Sequence, residues 1–175
     1  GAGLSPETLF INALAGATVD LSNLTTITGG ATAALADGTD SVVDFSSLTS
    51  FNDDAFDTSN LEAINGGTVD IGNLTDLNAV RIRLNDTGTL DTRQIINHNN
   101  GILTINGVTP DFSNLTNLDV SSLFVLKGGV LYLHALTSYT GSTDFDTTIQ
   151  ATGVGSRVDL SALTTLRGSG AGLSP

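Results

Sequence analysis

The chain has 175 residues, long enough for one domain with a substantial core, and it contains no Cys, Met or Trp. Disulfides and thiolate metal sites are therefore excluded. The 18 acidic and 6 basic residues give a net charge of -12, which disfavours nucleic-acid binding and insertion into an anionic membrane surface. No apolar stretch approaches the roughly 20 residues of a membrane-spanning helix.

The two ends of the chain carry the same six residues, Gly-Ala-Gly-Leu-Ser-Pro, at 1–6 and again at 170–175. This repetition predicts one module over residues 1–169, followed by the start of the next tandem copy at 170–175. A cloning or linker scar at both ends is the alternative interpretation.

A short helix is predicted over about residues 6–15. Ser5 suits the N-cap, Pro6 the first helical position and Gly16 a C-terminal stop. We expect this helix to cover an open sheet edge and to dock on the last coil of a preceding module. The predicted contact residues between modules are Ser5, Pro6, Leu9, Phe10, Leu14, Leu163 and Leu166.

A short repeat occupies about residues 17–167. Six segments follow the pattern Val-Asp-Leu-Ser-Asn-Leu-Thr, and their first residues are Val19, Val43, Val69, Pro110, Leu131 and Val158. These starts lie 24, 26, 41, 21 and 27 residues apart, so most intervals match one coil of a solenoid. In each segment the alternation sends Val and Leu inward and Asp outward, while Gly-Gly and Ser-Asn pairs suit the corners.

The predicted fold is all-β: a parallel β-helix of about six to seven coils with a short N-terminal capping helix. One coil of about 24 residues cannot bury its own apolar face, whereas stacked coils bury a continuous apolar column. A leucine-rich repeat has a similar period, but it requires a sustained Leu-x-x-Leu-x-Leu pattern that this chain does not keep.

The 41-residue interval between Val69 and Pro110 departs from the repeat. It is interpreted as two short coils, because residues 80–84 and 102–105 both resemble strands; one coil with a protruding loop is the alternative. If the module binds a specific ligand, segment 77–107 is the first candidate. Its candidate ligand residues are Arg81, Arg83, Arg93 and His98, although a coil that has drifted in sequence explains them equally well.

Acidic residues suggest two places for Ca²⁺. The loop residues Asp53, Asp54 and Asp57 offer carboxylate ligands, and a solvated acidic loop is the alternative. Stacking would also align Asp20, Asp44, Asp70, Asp111 and Asp159 in one outward row, interrupted by Tyr132. We expect each of these carboxylates to accept a backbone N–H two residues later, as an Asx-turn, rather than to bind Ca²⁺. No other cofactor is expected.

The Gly-Gly-x-Val-Asp-Leu-Ser-Asn-Leu-Thr repeats resemble the β-solenoid modules of large bacterial surface and adhesin-like proteins. The resemblance covers about two-thirds of the chain and concerns repeat style. It implies a non-enzymatic structural module of a tandem-repeat extracellular fibre, stalk or sheath at the cell surface, whose partners are neighbouring copies of itself. The alternative is an adhesin or carbohydrate-binding module that contacts surface glycans.

Overall fold

The computed structural model describes residues 7–54 and 59–168, and every regular element within them is a β-strand. The strands in chain order are β1 (Leu9–Leu14), β2 (Thr18–Asp20), β3 (Thr26–Gly29), β4 (Thr32–Asp37), β5 (Val42–Asp44), β6 (Ser50–Asp53), β7 (Ser59–Ile64), β8 (Thr68–Asp70), β9 (Asp76–Asn78), β10 (Val80–Asn85), β11 (Asn97–Asn99), β12 (Ile102–Asn106), β13 (Ser122–Leu126), β14 (Val130–Tyr132), β15 (Ser138–Thr140), β16 (Ile149–Thr152), β17 (Arg157–Asp159) and β18 (Thr165–Arg167).

Three parallel faces wind around one axis. Face A is a seven-stranded sheet in the order β1-β4-β7-β10-β12-β13-β16. Face B contains β2-β5-β8 and then β14-β17, and face C contains β3-β6-β9-β11 and then β15-β18. Each coil visits the faces in the order A, B, C, and the chain makes about six turns. The predicted parallel β-helix is thereby confirmed.

The interior consists of columns of apolar side chains, with one member contributed by each coil. On face B, Val19 pairs with Val43 and Val43 with Val69, in register. The largest fully buried side chains include Phe45, Phe51 and Phe112. Since each strand adds about 4.8 Å along the axis, every column is continuous through the rod.

The corner from face A to face B shows why the repeat contains glycine. Asn65 and Gly66 both have positive φ, 51° and 89°, a pair of left-handed residues that glycine and asparagine adopt most easily. Gly67 meets a different constraint, because a Cβ at this position would lie 2.3 Å from the carbonyl oxygen of Ala36 in the coil before. One glycine therefore serves the turn and the next allows close stacking of coils.

The predicted helix over residues 6–15 is wrong within the described residues, because residues 9–14 form strand β1. Tertiary pairing overrides the local helix signal in these residues: Leu9 N–H donates to the Ala31 carbonyl at 2.9 Å, and Ala15 N–H donates to the Asp37 carbonyl at 3.1 Å. Gly16, with φ of 83°, turns the chain from face A to face B instead of ending a helix.

The irregular interval forms two coils, as predicted. Strand β10 begins the first and β12 begins the second, and the two pair directly from Arg81↔Ile102 to Asn85↔Asn106. At face B, the first of these coils has no full strand and pairs with β8 through an isolated bridge between Thr68 and Thr89. The repeat is hard to see here because Leu90-Asp91-Thr92 takes the place of Val-Asp-Leu.

Candidate functional site

A column of outward side chains runs along face B, and we call it the outer B column. Its members occupy the Asp position of each coil; they are Asp20, Asp44, Asp70, Asp91, Asp111, Tyr132 and Asp159. Asp91 was missed in the sequence, because the bridge between Thr68 and Thr89 is what brings it opposite Asp70.

The predicted Asx-turns are confirmed along this column. The backbone N–H two residues later donates to Asp20 at 3.0 Å, to Asp44 at 2.9 Å and to Asp70 at 3.0 Å. Asp91, Asp111 and Asp159 accept the same bond at 3.1, 2.9 and 3.0 Å. These local bonds stabilise the charged carboxylates and offset the repulsion between stacked like charges.

The same bonds perturb the acidity of several members of the column. The hydroxyl and backbone N–H of Ser22 hold the pKa of Asp20 below its usual value. Ser113 does the same for Asp111, where the Arg93 guanidinium lowers the pKa further. The pKa of Asp159 is lowered in turn by Ser161, with a smaller contribution from Arg157.

Tyr132 interrupts the column, and polar groups gather around it. The Arg157 guanidinium lies over the Tyr132 ring, 5.7 Å from its centroid, and donates to Asp159 at 2.6 Å. The His134 ring is tilted against Tyr132 with the centroids 5.5 Å apart, and its Nε2 lies 3.9 Å from the Asp159 carboxylate. We call Tyr132, His134, Arg157 and Asp159 the Tyr132 patch.

A surface depression of about 270 Å³ adjoins the Tyr132 patch on the side of the preceding coil. Its lining residues are Thr109, Pro110, Asp111, Phe112, Ser113, Tyr132 and His134. One of these residues, Asp111, accepts a hydrogen bond at its Oδ2 from the Nε of Arg93, which belongs to the coil before, at 3.1 Å. The depression therefore offers one exposed aromatic ring beside carboxylate, hydroxyl and imidazole groups.

The sequence shows that Tyr132 interrupts the outward row of Asp residues, but no role was predicted for it. The available signal was a double departure within one repeat, since Tyr132 replaces the usual Asp and His134 replaces the usual Ser or Gly. The contribution of Arg157 could not be read in this way, because it comes from the following coil.

The predicted ligand segment does not form one site. Arg81 and Arg83 lie on the outer side of β10 in face A, and Arg83 Nη1 is 3.5 Å from Glu62 Oε1. Arg93 lies at the edge of face B beside Asp111. His98 is fully buried in β11. The structure thus distributes these four side chains over two faces and the core.

His98 belongs to a column of inward side chains on face C, which we call the inner C column. Its members are Ile27, Phe51, Leu77, His98, Leu118, Tyr139 and Leu166. His98 Nε2 lies 3.0 Å from the Val80 carbonyl, so Nε2 carries the proton, while Nδ1 is buried without a hydrogen-bond partner. Burial lowers the pKa of His98 to about 4.

The acidic loop proposed for Ca²⁺ is described only in part. Asp53 is buried, and its Oδ2 accepts bonds from the Ser59 hydroxyl at 2.6 Å and the Ser59 N–H at 3.1 Å. Asp54 is exposed, and Asp57 lies outside the described residues. Among residues 7–54 and 59–168, no three His, Asp or Glu side chains are grouped as a metal would require. Ca²⁺ binding by this loop stays a prediction.

The predicted contact residues between modules lie at the two ends of the rod, apart from Ser5 and Pro6, which are outside the described residues. Leu9, Phe10 and Leu14 are exposed on β1 in the first coil, and Leu166 is 66% exposed on β18 in the last. Leu163 is partly buried against the core in that last coil.

The first and last coils present matching cross-sections. Each inner column has its first member in the first coil and its last member in the last coil. These two members are Ile11 and Ile149, Val19 and Val158, and Ile27 and Leu166. The repeat pattern adds Leu21 with Leu160. Within the part of the chain that is described, no strand pairs with the outer edge of the first or the last coil.

No family model, curated protein or solved structure matches this chain. Over the described residues, the structure also contains no helix with the length and apolar character needed to cross a membrane.

Proposed function

We propose that this chain is a structural module of a tandem-repeat extracellular fibre, stalk or sheath, whose copies stack end to end. The observation that carries the proposal is the match between the two terminal cross-sections. A second copy placed on the last coil would set Ile11 against Ile149 and Val19 against Val158, which continues these two inner columns with the same residue, and Ile27 against Leu166, which continues a third with another aliphatic residue.

Backbone direction supports the same arrangement. All strand pairings in the described residues are parallel, so the free edge of β16 is of the kind that β1 of another copy can extend. Contact between the C-terminal end of one rod and the N-terminal end of the next is head-to-tail, and such contacts do not close on themselves when the axes align. Repeated contacts of this kind would build a filament.

Chain length between copies is also compatible with one continuous solenoid. In a tandem array, ten residues would separate Arg167 from the next Leu9, residues 168–169 followed by 1–8 of the next copy. The corner between β15 and β16 already spans residues 141–148 without breaking the stack.

The extracellular location and the cell-surface role depend on the resemblance in repeat style. A mechanical rather than enzymatic role is supported by the outer B column, whose carboxylates are engaged in local Asx-turns. Neighbouring copies of the chain are the proposed partners.

A head-to-tail fusion of two copies, in which residue 169 is followed by residue 1, tests the proposal. We expect its melting temperature to exceed that of the single chain and its scattering profile to fit a rod of about 70 Å, twice the length of one module. The unfused chain should also associate end to end, so its average sedimentation coefficient should rise with protein concentration.

Leu166→Asp in the first copy of the fusion should remove the gain in melting temperature, since it places a charge in the junction. Ile96→Asp is the matched control, because Ile96 is 41% exposed in the fourth coil, away from both ends. An unchanged melting temperature in the fusion, or equal effects of the two substitutions, would refute end-to-end stacking.

A further inference from the structure

We propose that the Tyr132 patch and its adjoining depression bind a neutral saccharide, with one sugar ring stacked on Tyr132. Tyr132 is the one aromatic residue in the outer B column, and 39% of it is exposed. A partly exposed aromatic ring beside a mostly apolar depression that also carries Asp111, Ser113 and His134 is the arrangement that suits a pyranose, whose C–H face is apolar and whose hydroxyls need hydrogen-bonding partners at the rim.

The two sides of the ring are used differently. Arg157, from the coil that follows, lies over the ring and is held in place by its 2.6 Å bond to Asp159. The depression opens toward the coil that precedes, where Asp111 and Ser113 line it. Arg157 thereby fixes the position of Tyr132 before a ligand arrives, which reduces the entropy that binding must overcome.

Hydrogen-bonding groups line the same depression as the ring. Asp111 already accepts the Ser113 N–H on one oxygen, Oδ1, and Arg93 on the other, Oδ2, which orients the carboxylate and leaves lone pairs for hydroxyl donors. His134 adds an exposed imidazole beside Tyr132, able to donate or accept. This set of donors and acceptors matches the hydroxyls of a hexose.

Charge selects a neutral sugar over an acidic one. The two carboxylates at the site, Asp111 and Asp159, are each paired with one arginine, Arg93 and Arg157. The local charge is therefore close to balanced, while the chain as a whole carries -12. A polyanionic glycan would gain no unpaired cation at this site and would be repelled by the rest of the surface.

Tyrosine fluorescence gives a direct measurement, because the chain has no Trp and only two Tyr, of which Tyr139 is buried. The full chain is titrated with cellohexaose, laminarihexaose, maltohexaose and mannohexaose, with tetragalacturonate as the acidic comparison, and heats of binding are recorded in parallel. We expect at least one neutral hexasaccharide to bind with a Kd of about 1 mM or tighter and to change Tyr132 emission.

Tyr132→Asp restores the residue that other coils carry, so the variant should fold with an unchanged circular dichroism spectrum while affinity falls at least about tenfold. Tyr132→Phe keeps the ring and should retain binding, which the heats of binding report. Failure of all four neutral sugars, tighter binding of tetragalacturonate, or full affinity in Tyr132→Asp would overturn the proposal.

Discussion

The inner C column and the outer B column are each interrupted by one residue of the wrong type, and the two interruptions have opposite consequences. His98 places a polar ring among Phe51, Leu77 and Leu118, where Nδ1 finds no hydrogen-bond partner. Tyr132 places an aromatic ring among carboxylates, where Arg157 and His134 collect around it. A departure from the repeat thus costs stability when it points inward and creates a surface feature when it points outward.

The physical reason is the close packing of the interior. An inward residue must fit a column in which members are about 4.8 Å apart, so the partner its polar atoms find is nearby backbone, as the Val80 carbonyl is for His98. An outward residue can choose a rotamer in water and gather side chains from two coils. The following predictions test this contrast, from the largest expected effect to the smallest.

Truncating an inward residue should have the largest effect. Phe51→Ala, at a fully buried position of the inner C column, should lower the free energy of unfolding by about 3–5 kcal/mol, because it leaves a cavity in the stack. Asn52→Ala, one residue along the same strand and pointing outward, should change it by less than about 0.5 kcal/mol. Chemical denaturation of both variants measures the difference; comparable losses would show that the columns do not dominate stability.

Acidification should destabilise the fold through His98, which is buried in its neutral form. Its folded pKa of about 4 lies below the unfolded value of 6.5, so unfolding takes up a proton between these values and stability falls as pH falls through that window. The expected loss between pH 7 and pH 4 is about 3 kcal/mol. His98→Leu should flatten the stability profile across this window, measured by denaturant unfolding at several pH values.

His134→Leu is the control for the acid experiment, because the His134 side chain is 64% exposed. His134→Leu should leave the fall in the free energy of unfolding between pH 6.5 and pH 4 unchanged. The depressed pKa values of Asp20, Asp111 and Asp159 act at the acidic end of this range and below it, since their stabilisation is present above the ordinary pKa of 3.8 and is lost as pH falls from there through the lowered folded values. If the free energy of unfolding of His98→Leu still falls with pH as steeply as that of the parent, a group other than His98 causes the acid sensitivity.

The smallest effect is expected in the outer B column. Asp70→Asn keeps the oxygen that accepts the Gly72 N–H, so its melting temperature should stay within about 1 °C of the parent. Asp70→Ala removes that acceptor and should lower the melting temperature by about 2–4 °C. If Asn and Ala behave alike in thermal scans, the Asx-turn is not what stabilises this position.

Much of the fold follows from the repeats, but the candidate site does not. The alternation in Val19-Asp20-Leu21 and its relatives correctly predicts which side chains are inside and outside, because strand periodicity is a local property. The Asx-turns are equally local and were predicted correctly. The Tyr132 patch joins residues from neighbouring coils, so a single repeat contains no sign of Arg157 near Tyr132.

Periodicity along the chain is enough to predict the parallel β-helix, the outward row of Asp residues and the two coils of the irregular interval. Residues 9–14 form a strand rather than a helix because their backbone partners lie in the next coil. Coil stacking likewise separates Arg81, Arg93 and His98, and it aligns Ile11 with Ile149 at opposite ends. Stacking register brings together residues far apart in the chain, and local propensity carries no information about that register.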